Sequence, residues 1–366
     1  MSKAVGSKAG ADGPAGKGFA VYALTLPGLR VAEAIAKGLP AELHLPERLS
    51  GKTGMVSTSF GSLAPHLREA FGKYRGHVLV AATGLVVREI APLLRDKTTD
   101  PAVVTLGQDG RHVISLLSGH LGGGNELAEK VAAITGGIAV INTATDIAGA
   151  PALEMVARDL GLHILDPGPL AAVSRELSEG AKVPLYDPLG VLAESLGPWE
   201  GRFPRIPEGG AFGGGAPAGP SVYVDYRAGD FPKNALVLIP KALALGVGCH
   251  KGIAFATLWD FVSEVFAREC LYAQAVSVVA TADIRREEPA ILGLAGSLGS
   301  PLAAYGKEEL AGVRPPNPSD TVLRRIGVPS VCEAAAMLAA KTGTLLVPKQ
   351  KNRVATMAVA RMSSLS

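Results

Sequence analysis

Cysteine is scarce in this chain. Its 366 residues hold three, Cys249, Cys270 and Cys332. An odd number with no C-x-x-C spacing argues against a disulfide scaffold or structural zinc and fits a reducing cytoplasm. Charge is also low, at 19%, against about 25% in an average protein. Aromatics reach only 5%, the net charge is +3, and no long basic run exists. That argues against a dedicated nucleic-acid binder. Mean hydropathy is +0.26, yet no membrane span is expected. The stretch 131–145 is broken by Thr135, Gly136, Gly137 and Asn142, and it is shorter than the roughly 20 apolar residues a span needs. The run 235–240 ends in Lys241, and Lys3, Lys8 and Lys17 precede no apolar signal segment. HExxH, GxSxG and P-loop motifs are missing, and the seven histidines show no metal-ligand spacing, so no metal site is expected.

Glycine is abundant, with 45 residues. There is no G-X-Y period, so collagen is excluded. These glycines serve either linkers or loops that need close backbone approach. The length itself predicts two or three domains.

Apolar periodicity organises the chain. Residues 1–18 read as a disordered tail, 19–24 as a strand and 30–38 as a helix. A strand at 77–82 leads into a helix carrying Val86 and Ile90, which Pro92 ends or kinks. A strand at 111–117, the loop SGHLGGGN (118–125), a helix carrying Leu127, Val131 and Ile134, and a strand at 138–141 follow. Alternating strands and helices predict a parallel sheet, whose loops gather ligands on one edge. This gives an N-terminal α/β domain over 19–146. A weakly patterned middle region covers 147–234, with helices at 151–160 and 170–178 and a flexible Gly/Pro-rich linker about 197–220. A C-terminal α/β domain is expected over 235–366. It has a strand at 242–247, the loop GVGCHKG (246–252), a long amphipathic helix from Phe255 to Phe266, a strand at 275–280, a helix at 330–341 and a closing hairpin around PKQKNR. The expected fold class is thus α/β, two domains with mainly parallel sheets.

The sharpest motif is SGHLGGGN. Glycines at 119, 122, 123 and 124 allow a tight turn that presents N–H groups at a helix N-terminus, where anions are attracted. His120 at its tip suits general acid–base work near neutral pH; the plainer alternative is an exposed histidine on a turn. Thr83-Gly84 offers a donor, and Arg88 a carboxylate fork, against a simple cap and a solvated arginine. Thr143, Thr145 and Asp146 follow the third strand and face the same predicted edge. GVGCHKG lacks the G-x-G-x-x-G spacing of a nucleotide site and reads as an anion nest with Lys251. Cys249 reads as buried rather than nucleophilic, since adjacent His250 rarely faces it. Asp283 and Arg285 sit on another strand-end loop. Ser330-x-x-Glu333 has the spacing of a capping box. Lys349 and Lys351 flank a turn and suit a polyanion.

These segments together resemble a known family. ATGLVVREIAPLLRDKTTDPAVV (82–104) and VISLLSGHLGGGNELAEKVA (113–132) are similar to the cobalt-precorrin-5A hydrolase family, cobalamin biosynthesis protein CbiG. So are INTATD (141–146), LGVGCHKG (245–252), GVPSVCEAAAMLAA (327–340) and VPKQKN (347–352). The resemblance implies a hydrolase of the oxygen-independent route that opens the δ-lactone of cobalt-precorrin-5A and expels acetaldehyde, giving cobalt-precorrin-5B. It also implies a variable middle domain, a cobalt-corrinoid small molecule as partner, and no protein cofactor, the cobalt being carried by the substrate. Contacts with other enzymes of that pathway, and an oligomer, stay open.

On this reading His120, Thr83 and Asp146 are the candidate catalytic residues. Gly84, Arg88, Ser118, Gly119, Gly122, Gly123, Gly124, Asn125, Gly248, Cys249, Lys251, Lys349 and Lys351 are the candidate substrate contacts. The amides of Gly122 to Gly124 serve as oxyanion or carboxylate donors. A non-catalytic corrinoid carrier is the first alternative, and a nucleotide-dependent enzyme using GVGCHKG the second.

Overall fold

The structure, a computed structural model, describes residues 17–96, 99–120, 122–142, 149–208, 215–318, 328 and 330–364. They fall into two compact units divided between Met155 and Val156.

The first unit is built on a seven-stranded sheet in the order β3-β2-β1-β4-β5-β6-β7. Its strands are β1 (Lys17–Ala23), β2 (Ala41–Pro46), β3 (Ser57–Phe60), β4 (Tyr74–Val80), β5 (Ala102–Leu106), β6 (His112–Leu117) and β7 (Ile138–Val140). Lys17 and Gly18, assigned above to a tail, thus belong to β1. The central strands serve two layers at once, because side chains alternate across a strand. Val21, Ala23, Val78, Val80, Val104 and Leu106 face one apolar layer with α1 (Leu26–Gly38) and α5 (Gly124–Thr135). Ala20, Tyr22, Leu79 and Val103 face the other, with α3 (Leu63–Ala70) and α4 (Thr83–Ile90). A short α2 (Glu47–Ser50) follows β2. Both faces being covered explains the continuous apolar runs and the low charge. The Thr25 side chain accepts from Gly28 N at 3.2 Å and starts α1, whose inner stripe is Leu29, Ala32, Ile35 and Ala36.

Strands β1 to β5 are parallel, as the alternation predicts. β6 is not: it pairs antiparallel with β5, Val103 facing Leu117 and Leu106 facing Val113, and β7 runs parallel to β6. The connection from β5 to β6 is only Gly107–Arg111, too short for the crossover a parallel neighbour needs.

In the second unit, α6 (Leu153–Asp159), which begins before the division, and α7 (Leu170–Ser178) lead to a four-stranded sheet. Its order is β8-β11-β10-β9, from β8 (His163–Ile164), β9 (Leu185–Tyr186), β10 (Ser221–Val224) and β11 (Ala235–Ile239). The weakly patterned middle region therefore contains a sheet. Ala235–Ile239, read above as the opening of the C-terminal domain, pairs with β10 inside it. The stretch called a flexible linker is partly regular: Gly197–Arg202 is a 3-10 helix, Phe203 is buried, and Ile206 N donates to Leu185 O. Residues 209–214 lie outside the described set.

A five-stranded sheet completes this unit in the order β14-β13-β12-β16-β15. It comprises β12 (Leu243–Cys249), β13 (Val276–Ala282), β14 (Leu302–Tyr305), β15 (Leu345–Lys351) and β16 (Ala355–Arg361), with helices α8 (Phe255–Arg268), α9 (Pro289–Ser297), α10 (Lys307–Ala311) and α11 (Cys332–Ala340). β12 to β14 are parallel, and the predicted hairpin β15–β16 closes antiparallel on β12. One face is large: Leu243, Leu245, Val247, Met357 and Val359 meet α8 and α9. The other is small: Ala244, Ala358 and Ala360 meet Cys332, Ala336 and Ala340 of α11. At Gly246 a Cβ would overlap the Cys332 carbonyl oxygen and lie 2.8 Å from Ala336 N. The glycine lets α11 lie directly on β12.

Candidate functional site

SGHLGGGN forms a tight turn between β6 and α5. Ser118 adopts φ 54° and Gly123 φ 79°, the left-handed region that glycine enters without strain. The turn is fastened from within. Gly123 N donates to His120 O at 2.8 Å, Gly124 N to Ser118 O at 2.9 Å, and Asn125 N to Gly119 O at 2.9 Å. Ser118 Oγ donates to Asp100 O, and Ser115 Oγ to Asn125 Oδ1. The amides of Gly123 and Gly124, expected to face an oxyanion, are thus turned into the loop. At those two positions the glycine amides fasten the turn.

His120 is what the turn presents. Its Nδ1 lies 2.9 Å from Glu154 Oε1, with the two side chains 18% and 9% exposed. A carboxylate on Nδ1 selects the tautomer protonated there and puts the ring's lone pair on Nε2. Glu154 stands in the first turn of α6 and went unnoticed in the sequence, where a glutamate in a helical stretch has the look of a solvated charge.

Thr83, one of its two expected catalytic companions, does not join it. Thr83 and Gly84 follow β4, whereas β6 runs the opposite way. Reversal of β6 puts His120 at one end of the sheet and Thr83-Gly84 at the other. Thr83 opens α4 beside the point where connections switch faces, since β1 leads to α1 in one layer and β4 to α4 in the other. Arg88 is exposed, with Nη1 4.0 Å from where a Cβ on Gly84 would stand. Asp146, with Thr143 and Thr145, lies outside the described residues.

The second unit carries a cavity of about 430 Å³ at the carboxyl end of β12, in the usual size range for small-molecule sites. Gly248, Cys249 and Lys349 line it, as the motifs suggested, and Arg285, Arg353 and Thr356 join them. No described carboxylate lines it, so Arg285, Lys349 and Arg353 make it a site for anions. Lys251 and Lys351 are exposed and lie outside the lining. GVGCHKG is less of a loop than expected: β12 continues through Cys249, His250 N donates to Val354 O, and Gly252 N to buried Glu288. The His250 and Gly252 amides are thus taken up within the protein.

Cys249 lines the cavity wall in an environment that disfavours the thiolate. Burial, reinforced by Glu288, pushes its thiol up to about 11. Burial also raises Cys332. Glu333 makes no capping box: Val331 caps α11 without a side-chain bond. The fully buried carboxylate instead accepts from Asn317 N at 3.1 Å, Asn317 Nδ2 at 2.8 Å and Lys349 N at 3.0 Å. It pins the backbone beneath the Lys349 side chain.

The histidines prove less scattered than their spacing implied. Tyr22 Oη lies 3.1 Å from His77 Nδ1, and His44 Nδ1 2.8 Å from His66 Nε2. Burial pushes both His44 and His77 down to about 4, with His66 adding to each shift. Among the described residues no group of three or more His, Cys, Asp or Glu is arranged to hold a metal, and no helix is long and apolar enough to cross a membrane.

A carboxylate-paired imidazole and a cationic pocket, each on an α/β sheet, give this chain the build of an α/β protein with a site for anionic small molecules. The comparisons sharpen that class. Residues 65–146 match the family model described as cobalamin synthesis G N-terminal, and 243–360 that of cobalamin synthesis G C-terminus. The cobalt-precorrin-5A hydrolase of Salmonella typhimurium is 30% identical over 332 residues, covering 87% of this chain and 91% of that protein. The one from Priestia megaterium is 29% identical over 357 residues, covering 93% and 94%. A solved cobalamin biosynthesis protein G homolog from Sulfolobus solfataricus is 19% identical, with 95% of this chain and 98% of that chain covered at a TM-score of 0.35. The chain belongs to the cobalamin synthesis G (CbiG) family, and it is a hydrolase of cobalamin biosynthesis.

Proposed function

We propose that the chain hydrolyses cobalt-precorrin-5A, opening its δ-lactone and releasing acetaldehyde to leave cobalt-precorrin-5B. The reading is carried by the similarity to two proteins so named, over 93% and 87% of this chain. His120 and Glu154 support it chemically. Nε2 of His120 takes a proton from water as the oxygen adds to the lactone carbonyl. The acyl–oxygen bond breaks, and the imidazolium returns the proton to the departing alkoxide. Nε2, neutral again, then takes that hydroxyl proton as the aldehyde carbonyl forms. The adjacent carbon–carbon bond breaks, and its electron pair passes into the conjugated macrocycle. Cobalt travels with the substrate. The second unit's cavity, lined by Arg285, Lys349 and Arg353, has the charge to take carboxylates such as the macrocycle's acetates and propionates.

The test is aldehyde release from cobalt-precorrin-5A and purified protein, followed by coupled NADH oxidation. Wild type is expected to turn over, and His120→Ala to lose about 10²- to 10⁴-fold in rate, the usual worth of a positioned acid–base group. Tight stoichiometric binding without aldehyde would favour the carrier reading instead.

A further inference from the structure

The proton chemistry assigned to His120 has a requirement that the glycine loop does not meet by itself. A base that takes a proton from water becomes a cation. On a partly buried loop that cation needs a fixed negative partner, and the ring must hold one orientation. Inside the turn the donors already serve its own carbonyls. We propose that Glu154 is the positioning residue of this hydrolase, holding the His120 ring through Nδ1 and balancing the charge it gains; this rests on the hydrolase reading above.

Three observations converge on it. The Nδ1–Oε1 separation is 2.9 Å, within the range of a charge-assisted hydrogen bond. Glu154 is only 7% exposed, so its carboxylate is held in a medium where an ion needs a partner. Its anchor is independent of the loop. The contact spans 34 residues of sequence, and neighbouring Leu153 is fully buried, which fixes the start of α6. A glutamate there for surface solvation would face water. This one faces the single imidazole of the turn. Lys130 with Glu126 offers the contrast, an i,i+4 pair 51% exposed on each side.

The test uses the full-length chain with cobalt-precorrin-5A and compares Glu154→Gln, Glu154→Asp and His120→Ala. Glu154→Gln is expected to lower kcat by about 10-fold or more, up to about 10⁴-fold, the loss when a histidine base is deprived of the carboxylate that holds its tautomer, with KM within about 2-fold. The acid limb of its kcat/KM–pH profile moves to lower pH, because the imidazolium has lost its anion. Glu154→Asp, which keeps the charge on a shorter stem, recovers part of the rate and restores the acid limb. A purely structural carboxylate would move neither the limb nor its rescue. If Glu154→Gln folds, as judged by circular dichroism, and keeps wild-type kcat and profile while His120→Ala is inactive, Glu154 has no positioning role and the hydrolase reading stands. Should wild type itself release no aldehyde, the reaction assignment fails and this proposal with it.

Discussion

Acidification should loosen the first unit through His77, and burial of the ring sets the sign and the order of magnitude. His77 is fully buried on β4. Its Nε2–H donates to Phe71 O at 3.0 Å, and its Nδ1 accepts from Tyr22 Oη at 3.1 Å. The neutral ring is therefore satisfied on both sides. A second ring proton would point at a hydroxyl already donating, with His44 stacked on Tyr22 at 4.8 Å and His66 beyond it. The surrounding titratable groups are Tyr74, Glu42, Glu69 and Lys73. Burial lowers His77 to about 4 from 6.5. Between those values the unfolded chain binds a proton the folded one refuses, so stability rises with pH across the window and is lost as pH falls from 6.5 toward 4. At 1.36 kcal/mol per pH unit the loss approaches about 3 kcal/mol from this group alone. His44, also near 4, acts in the same direction.

The assay is hydrogen exchange of β1 and β4 amides from pH 7 to 4, comparing wild type with His77→Gln, which keeps a donor toward Phe71 and does not titrate. Intrinsic exchange rates are corrected for pH. Wild-type protection should fall through the window, and the variant, although weaker at pH 7, should show a shallower fall. Identical pH slopes in the two proteins would refute the reasoning.

Three further outcomes follow from the second unit. Gly246→Ala forces α11 off β12 and should cost about 1–3 kcal/mol, as overpacked cores do, read as a lower melting temperature; an unchanged melt would mean the close approach is wrong. Cys249, held at about 11, should resist iodoacetamide at pH 7.5 while exposed Cys270 is alkylated. Cys249→Ala should keep kcat within about 3-fold, since no thiolate is needed; rapid alkylation or an inactive variant contradicts this. Arg285→Ala and Lys349→Ala should each raise KM about 10-fold with little change in kcat, as lost charge-assisted contacts do when they act equally on substrate and transition state. A fall in kcat at constant KM would move them from binding into the chemistry.

Much of the frame was legible because burial leaves a periodic trace. The helix stripes of α1, α5 and α8, the strand at β4 and the closing hairpin all stood at their expected places. Strands buried on both faces carry no alternation, so β5 (AVVTL) and β11 (ALVLI) could not be assigned to a sheet from pattern alone. The direction of β6 was hidden for another reason. Polarity within a sheet is set by the length of the preceding connection and by tertiary pairing, not by the strand's own residues. That one reversal undid the grouping of Thr83 with His120. The glycine-rich motifs were visible, but the inward bonds of the Gly123 and Gly124 amides were not. Composition reveals that a backbone bends, not where its amides point. Glu154 and Arg353 left no signal, since lone charges look alike until the fold buries them or aims them at a cavity, and Arg285 was marked only by its place on a strand-end loop.

The reversed strand has an evolutionary consequence. The two ends of this sheet are separated by the length of β5, roughly 15 Å at about 3.3 Å per residue. Substitutions that far apart, without shared partners, add in free energy. The ATG turn at one end and the histidine turn at the other are therefore separate adjustable parts. Either can drift or acquire a new ligand preference without retuning the other, while the strands between them stay fixed by packing on both faces.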